Sequence, residues 1–417
     1  MTSLTDLADA LWEGRPPPVD YHPFRTAGLA EELAGGLWFV TGFSNVICLE
    51  TADGLVLIDT GGAMTEAASH AALRQHTDAG VHSVVLTHGH VDHIAGLRRY
   101  DEEGVGGTPP RVVAHEAVQG RFDRYRRTAG HNGIINSRQF GVDVRWPTRY
   151  RHPDETYRSS REMEVGGERL VLRHARGETD DHTWVHLPDR RVICCGDLFI
   201  WASPNAGNPQ KVQRYPDEWA EALREMASLD AEMLLPGHGV PVLGADRVRQ
   251  ALEETATYLE ALCDQVLERM NAGQRLDEIV HAVRPPAELA QRPYLRPTYD
   301  QPDFVVRNLW RLWGGWWDGN PAHLEPAPEP ELAAELAALA GGAAALAQRA
   351  AALAEQDELA LAGHLAELAA LAAPGDEEIH AVRAEVFERR AAAASSTMAT
   401  GVYRWAARAS REALDDG

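Results

Sequence analysis

Thr87-His88-Gly89-His90-Val91-Asp92-His93 follows directly on Ser83-Val84-Val85-Leu86, an apolar run that reads as a buried strand. The pattern His-x-His-x-Asp-His on a loop leaving a strand meets the needs of a metal site. Zinc takes imidazole nitrogen or carboxylate oxygen at about 2.0–2.2 Å, and a catalytic site keeps one position open for water. His88 and His90, two apart in extended chain, can face one metal. Asp92 and His93, past the turn, can face a second one a few ångströms away.

Outward from this loop, residues 37–245 alternate strand-like and helix-like segments. Leu37–Thr41, Val46–Glu50 and Leu55–Asp59 are short apolar runs, with Ala52-Asp53-Gly54 as the hairpin turn between the last two. A helical stretch is expected from Met64 to about Ala79. Val112–His115, Leu170–His174, Thr183–Leu187 and Arg191–Cys195 read as further strands, and Pro188-Asp189 turns between the last two. Asp217–Leu229 is an amphipathic helix, and Glu232–Leu235 a last strand ending in Pro-Gly-His-Gly. The pattern is an α/β sandwich with ligands gathered at strand ends.

From Ala245 the texture changes. Asp246–Met270 has helical periodicity, closed by Asn271-Ala272-Gly273, and Leu276–Val283 is a short helix. Pro330–Leu371 and Asp376–Leu414 are rich in Ala, Leu and Glu, with breaks at Gly341-Gly342, Glu355–Glu358 and Pro374-Gly375. The expected organisation is an N-terminal extension over 1–36, an α/β domain over 37–245 and an α-helical domain over 246–417.

The chain has 417 residues, 44% of them hydrophobic, and a formal charge of −22. That charge argues against nucleic acid or an anionic membrane as partner, although dications and a few local cations can reverse the field inside one cleft. No run of about 18 apolar residues occurs, so no membrane-spanning helix is expected. Met1–Pro18 has no basic region followed by an apolar one, so no signal peptide is expected either. Cys48, Cys194, Cys195 and Cys263 read as buried thiols in a reducing compartment, and the expected location is cytoplasmic.

The histidine loop resembles the signature of the metallo-β-lactamase superfamily, and other parts of that pattern occur in order. Asp59-Thr60-Gly61 is similar to the strand-end Asp-Thr-Gly of the superfamily. Asp197, in Cys195-Gly196-Asp197, is similar to its metal-bridging carboxylate, and His238, in Pro236-Gly237-His238-Gly239, to its last ligand. The resemblance implies an αββα sandwich and two Zn2+ per chain, with other divalent transition metals left open. Many members carry Pro-Gly-His-Thr where this chain has Arg176-Gly177-Glu178-Thr179, and a carboxylate there is similar to the alkylsulfatase branch. His88, His90 and Glu178 are therefore assigned to one metal, and Asp92, His93 and His238 to the other. Asp197 bridges, and Asp59 orients a ligand. His182, four residues past Glu178, is the rival ligand. Metals so held make hydroxide available near neutral pH and neutralise charge on oxygen, so hydrolysis is expected, with Asp92 and Asp197 as catalytic carboxylates.

Asn205, Asn208, Lys211 and Arg214 lie between the bridging carboxylate and the next helix, where a loop should hang over the metals. They are read as donors to a sulfate or other oxyanion, or else as a plain polar surface loop. Tyr294-Leu295-Arg296-Pro297 and the stretch Arg307–Pro321, closing in Gly315-Trp316-Trp317-Asp318-Gly319-Asn320-Pro321, resemble the dimerisation domain of type III alkylsulfatases. This resemblance implies an all-α dimerisation domain, a homodimer and a small, anionic alkyl sulfate ester as substrate. It stops short of the sterol-carrier-like domain of the secreted members. Cleavage of another ester, a thioester, a lactone or a phosphoester is the alternative. The tryptophans at 310, 313, 316 and 317 should bury a large aromatic surface, as core, subunit interface or wall of an apolar tunnel. His131, Asn132 and Asn136 form a polar insert, read as a surface loop or as the source of a leaving-group acid. Asn45 either lines the cleft or makes a turn.

Overall fold

Apolar runs and turn residues produce two mixed sheets in the computed structural model, which describes residues 3–16, 21–24 and 28–415. The first sheet holds β1 (Ala30–Ala34), β2 (Leu37–Val40), β3 (Val46–Thr51), β4 (Gly54–Ile58), β5 (Val81–Val85), β6 (Arg111–His115) and β7 (Glu155–Tyr157), in chain order. Its first four strands form an antiparallel meander, and β4 to β7 run parallel. The second sheet holds β8 (Ser160–Val165), β9 (Glu168–His174), β10 (Thr183–Leu187), β11 (Val192–Gly196), β12 (Met233–Pro236) and β13 (Val242–Leu243). Within it only β11 and β12 are parallel neighbours.

Parallel neighbours need crossover connections, which the helices Glu66–Arg74 and Pro216–Ala227 provide between β4 and β5 and between β11 and β12. Strands covered on both faces carry continuous apolar runs, as in Leu55–Ile58 and Val192–Cys195, all buried. Val46, Cys48, Leu57, Val84, Leu86, Val112 and Phe122 belong to one core cluster between the first sheet and its helices. All four cysteines are buried free thiols.

This topology positions the site. Asp59 and the histidine loop leave the C-terminal ends of β4 and β5, and Asp197 and His238 those of β11 and β12. Carboxyl ends of parallel strands are where open α/β sheets place their ligands. Cross-sheet bonds close this end: Thr183 N–H donates to Thr87 O at 2.6 Å, and Asn45 Nδ2 donates to Pro236 O at 2.9 Å.

The chain divides into two compact units. One comprises residues up to Ala129, Pro147–Gly273 and Glu278–Gly314, so it includes both sheets and the long helix Ala245–Asn271. The other comprises Gly130–Trp146, Gln274–Asp277 and Gly315–Gly417. In this second unit the helices Glu329–Ala340, Ala343–Glu355, Leu359–Ala372, Glu377–Ala393 and Thr397–Asp415 pack through small residues such as Ala337, Ala347, Ala350, Ala362, Ala366 and Ala369. The foreseen breaks at 341–342, 355–358 and 374–375 are present. A further break at 394–396 starts the last helix, where Ser396 Oγ accepts the Ala399 N–H. Among the described residues no single helix is long and apolar enough to cross a bilayer. Glu329–Ala340 and Ala343–Glu355 reach that character only as a pair bent by 84°.

Three expectations change. The polar insert at 130–136 is not a loop: it lies in the helix Ala129–Phe140, whose Arg138 guanidinium stacks 4.0 Å from the Trp405 ring within the second unit. His131 is exposed there, and Asn136 Nδ2 donates to Asn132 O, so this stretch is part of the helical unit. The helix foreseen from Met64 to Ala79 is shorter, Glu66–Arg74. The tryptophans do not form a core: Trp310 and Trp313 are half-buried, and Trp316 is 70% exposed. Indole area left open in a single chain is the kind of surface that a partner covers.

Candidate metal centre

The histidine loop is shaped by the chain beneath it. Asp59 adopts a left-handed backbone (φ 59°), which Asp tolerates better than most residues. That turn aims its carboxylate at three donors: Thr87 N at 2.8 Å, Thr87 Oγ1 at 2.7 Å and His93 Nδ1 at 2.8 Å. With Nδ1 so engaged, His93 presents Nε2 outward. Thr60 donates both its N–H and its hydroxyl to His93 O, and Ser44 Oγ donates to Asp92 O. His238 Nδ1 is bonded to Phe43 O at 2.5 Å, which likewise frees Nε2. Asn45 serves the turn reading, its Oδ1 accepting Gly42 N–H at 3.4 Å across the 42–45 bend, and its Nδ2 also reaches Gly239 O at 3.0 Å and holds the His238 loop.

Asp197 is delivered by an irregularity. The β11–β12 register shifts between Cys194 and Gly196, and Gly196 takes φ 51°. A Cβ there would lie 2.8 Å from His182 Nε2, so only glycine fits. Asp197 N–H donates to that Nε2 at 3.1 Å, which occupies the lone pair. His182 thus bonds the backbone beside Asp197 and stacks on His88, with ring centroids 4.9 Å apart.

Seven side chains converge in two groups, His88, His90, Glu178 and Asp197 in one, and Asp92, His93 and His238 in the other. In the first, His90 Nδ1 lies 2.8 Å from His88 Nε2 and 3.2 Å from Glu178 Oε2, and His88 Nε2 is 3.6 Å from that oxygen. In the second, His238 Nε2 lies 3.4 Å from Asp92 Oδ2, and His93 Nε2 is 3.7 Å from it. Asp197 joins them: Oδ1 is 3.3 Å from His93 Nε2, and Oδ2 is 3.3 Å from His238 Nε2 and 3.8 Å from His88 Nε2. A tetrahedron with bonds of about 2.0–2.1 Å has edges of about 3.4 Å, the spacing of these donors. His93 Nε2, Glu178 Oε2 and Asp197 Oδ1 are buried and have no hydrogen-bond partner among the described residues. Buried polar atoms are seldom left so, and a cation among them satisfies all three. The donor set fits a pair of divalent metals.

The electrostatics divide the imidazoles: against burial, Asp197 raises His93 and lifts His238 to about 9, so a cation would have to displace their protons, whereas His88 shifts the other way. Burial, then His93 and His90, push His88 well below its ordinary value, so it is a neutral imidazole, the form that ligates. Burial alone would raise Asp197, but His238 and His93 outweigh it and hold the carboxylate well below its usual range. The Glu178 carboxylate is likewise held down, against burial, by His90 and Arg214.

Comparison with known proteins gives this arrangement a lineage. Residues 40–238 match the metallo-beta-lactamase superfamily, and residues 275–413 match the alkyl sulfatase dimerisation family. The sheet-bearing part of the chain is thus similar to metallo-β-lactamase superfamily domains. A linear primary-alkylsulfatase of a Pseudomonas species is 28% identical over 321 residues, 70% of this chain and 60% of that protein. An (R)-specific secondary-alkylsulfatase, also of Pseudomonas, is 26% identical over 377 residues, 83% of this chain and 57% of that protein. The chain thus spans about three fifths of the curated relatives it matches. The solved structure of a stereoselective inverting sec-alkylsulfatase from Pseudomonas superposes with a TM-score of 0.85 at 25% identity, covering 93% of this chain and 66% of that one.

Around the candidate metal site, the loop after Asp197 is tied to Glu178. Asn205 Nδ2 donates to Glu178 Oε1, and the buried Arg214 donates to Glu178 O and lies 3.6 Å from Oε1. Asp300 holds the same loop by accepting Gly207 N–H at 2.6 Å. Burial, then Arg214, lower the Lys211 ammonium to about 7, with Asp92 and Glu178 opposing. Asn208 is buried, and its Nδ2, like Arg214 Nε, has no partner among the described residues. Sequence reasoning missed Ser44, and it missed Arg121 and Asp181, which pair across sixty residues next to the histidine loop. The neighbouring Asp180-Asp181 was the only local signal.

Proposed function

We propose that the chain is a binuclear metal-dependent hydrolase that cleaves alkyl sulfate esters to an alcohol and sulfate. The observation that carries the hydrolase reading is the seven-donor cluster, three of whose inward atoms lack partners among the described residues. His88, His90 and Glu178 would hold one metal and Asp92, His93 and His238 the other, with Asp197 shared. The mixture of imidazole and carboxylate at tetrahedral spacing favours Zn2+. Such ions, when bound, supply an acidified water and positive charge for oxygen that becomes negative in the reaction.

The chain's own side chains do the rest. The Asp92 side chain is 24% exposed and that of Asp197 6%, so Asp92 is the site carboxylate with an open edge, and we assign it to orient the attacking water. In this loop Lys211, together with the Arg214 Nε and Asn208 Nδ2 atoms that lack a partner among the described residues, supplies donors suited to sulfate oxygens, while Asn205 Nδ2 is engaged by Glu178. The names of the two Pseudomonas relatives support sulfate over other leaving groups. A panel of primary and secondary alkyl sulfates against thioesters, lactones and phosphoesters tests this. Sulfate release is expected from at least one alkyl sulfate, lost on chelation and regained with Zn2+. Turnover confined to another class would replace the sulfatase reading by its same-fold alternative.

We further propose that the chain works as a homodimer through its second unit. Trp316, Leu332, Leu339 and Leu361 there are more than half exposed, an apolar surface that one copy leaves open. Trp316→Ala with Leu339→Glu is expected to move the light-scattering mass from twice 45.7 kDa toward 45.7 kDa. An unchanged dimer would place the interface elsewhere.

A further inference from the structure

The segment that contributes Glu178 also grips the histidine loop through residues outside the donor set. Asp181 is fully buried, and its Oδ2 accepts the Gly89 N–H at 3.0 Å. The same oxygen accepts Arg121 Nε at 2.7 Å, and Arg121, its side chain 1% exposed, also donates to Asp180. On the other side of His88, Thr183 N–H holds Thr87 O, and His182 stacks on the His88 ring. The peptides before and after His88 are therefore both fixed by residues 181–183. Gly89 is pressed against this support: a Cβ there would lie 2.8 Å from Arg121 Cδ and 3.0 Å from Asp181 Oδ2.

The other half of the loop is held from elsewhere, although Asp59 also accepts from Thr87 on the first half. Asp92 and His93 are braced by Ser44, Asp59 and Thr60, through bonds that do not involve Asp181 or Arg121. A carboxylate that accepts both a loop N–H and a guanidinium fixes the peptide rigidly, because each bond restrains the other. We propose that Asp181, backed by Arg121, is a positioning residue that sets the affinity of the His88–His90–Glu178 metal position and leaves the Asp92–His93–His238 position unaffected. The proposal rests on the two-metal reading above. Groups that hold metal ligands from behind are commonly worth 10- to 100-fold in metal affinity.

The test uses Co2+ alone as probe, followed by its visible absorption, with no substrate present. His238→Ala leaves the first position as the intact one, and His90→Ala the second. Asp181→Asn is expected to weaken Co2+ binding about 10- to 100-fold in the His238→Ala background and less than about twofold in the His90→Ala background. Arg121→Lys keeps the charge but loses the planar fork, so it should weaken the first position by a smaller factor. It carries the test alone if Asp181→Asn fails to fold. Unchanged affinity at the first position, or equal weakening at both, would overturn the positioning role. An unsubstituted chain that binds fewer than two Co2+ would instead overturn the two-metal reading, so the two failures are distinguishable.

Discussion

Alanine at Asp197 is expected to lower kcat/KM by roughly 10³-fold or more and to reduce the bound metal below two per chain. Both oxygens of this carboxylate are committed, Oδ1 toward His93 and Oδ2 toward His88 and His238. Its removal therefore takes a donor from both groups at once. Loss of a single oxyanion-stabilising donor already costs enzymes about 10²–10³ in kcat, and a shared donor should cost more. The carboxylate also faces His93 and His238, two imidazoles that burial lowers but that it and Asp92 raise on balance, His238 to about 9. Asp197→Asn keeps the shape and one oxygen acceptor but not the charge, so it should retain more metal than the alanine variant. Elemental analysis beside initial rates of sulfate release checks both. Activity within tenfold of the unsubstituted chain would remove Asp197 from the centre of the account.

Glu178→Ala should behave differently, with the loss of one metal and a distinct fall in stability. Glu178 contributes to one group only, through Oε2, while Oε1 faces Asn205 and Arg214. Arg214 is almost wholly buried, and the truncation takes away the Glu178 carboxylate 3.6 Å from its guanidinium. Breaking a buried ion pair by removing one partner typically costs about 3–5 kcal/mol, and the remaining bond from Arg214 to Glu178 O moderates that toward the lower end. The expected result is one metal per chain and a denaturation midpoint well below that of the unsubstituted protein. His182→Ala, by contrast, should keep two metals, because the free nitrogen pair on Nε2 is already used by Asp197 N–H. Two metals in the Glu178 variant and one in the His182 variant would invert the assignment.

Much of the site was legible in the sequence because its ligands lie in short local patterns at strand ends. His88, His90, Asp92 and His93 sit within six residues after an apolar run, and Asp197 and His238 each close another such run. A strand of this kind fixes where its last residue emerges, so spacing carries geometry. Glu178 was legible only through resemblance, since nothing local separates a ligand glutamate from a solvated one.

The rest depends on contacts between distant segments. Asn205 and Arg214 read as free donors over the metals, yet the fold turns Asn205 Nδ2 and two Arg214 nitrogens toward Glu178. Their polarity was visible, but their partner was not. The insert at 130–136 has glycines and amides that read as a loop. It is helical within a unit where Gly401 lets the last helix approach so closely that a Cβ would sit 2.0 Å from Gln139 O. Tertiary packing overrides local propensity there. Likewise β1, with its sequence Ala-Glu-Glu-Leu-Ala, carries no strand signal and forms by pairing with β2.

The central claim is that the seven side chains form one two-metal centre. Elemental analysis of the purified chain, stripped with chelator and reloaded with Zn2+, tests it most directly. The account predicts two metal ions per chain, with one in His90→Ala and one in His238→Ala. A single ion in the reloaded unsubstituted chain, or none, would contradict it.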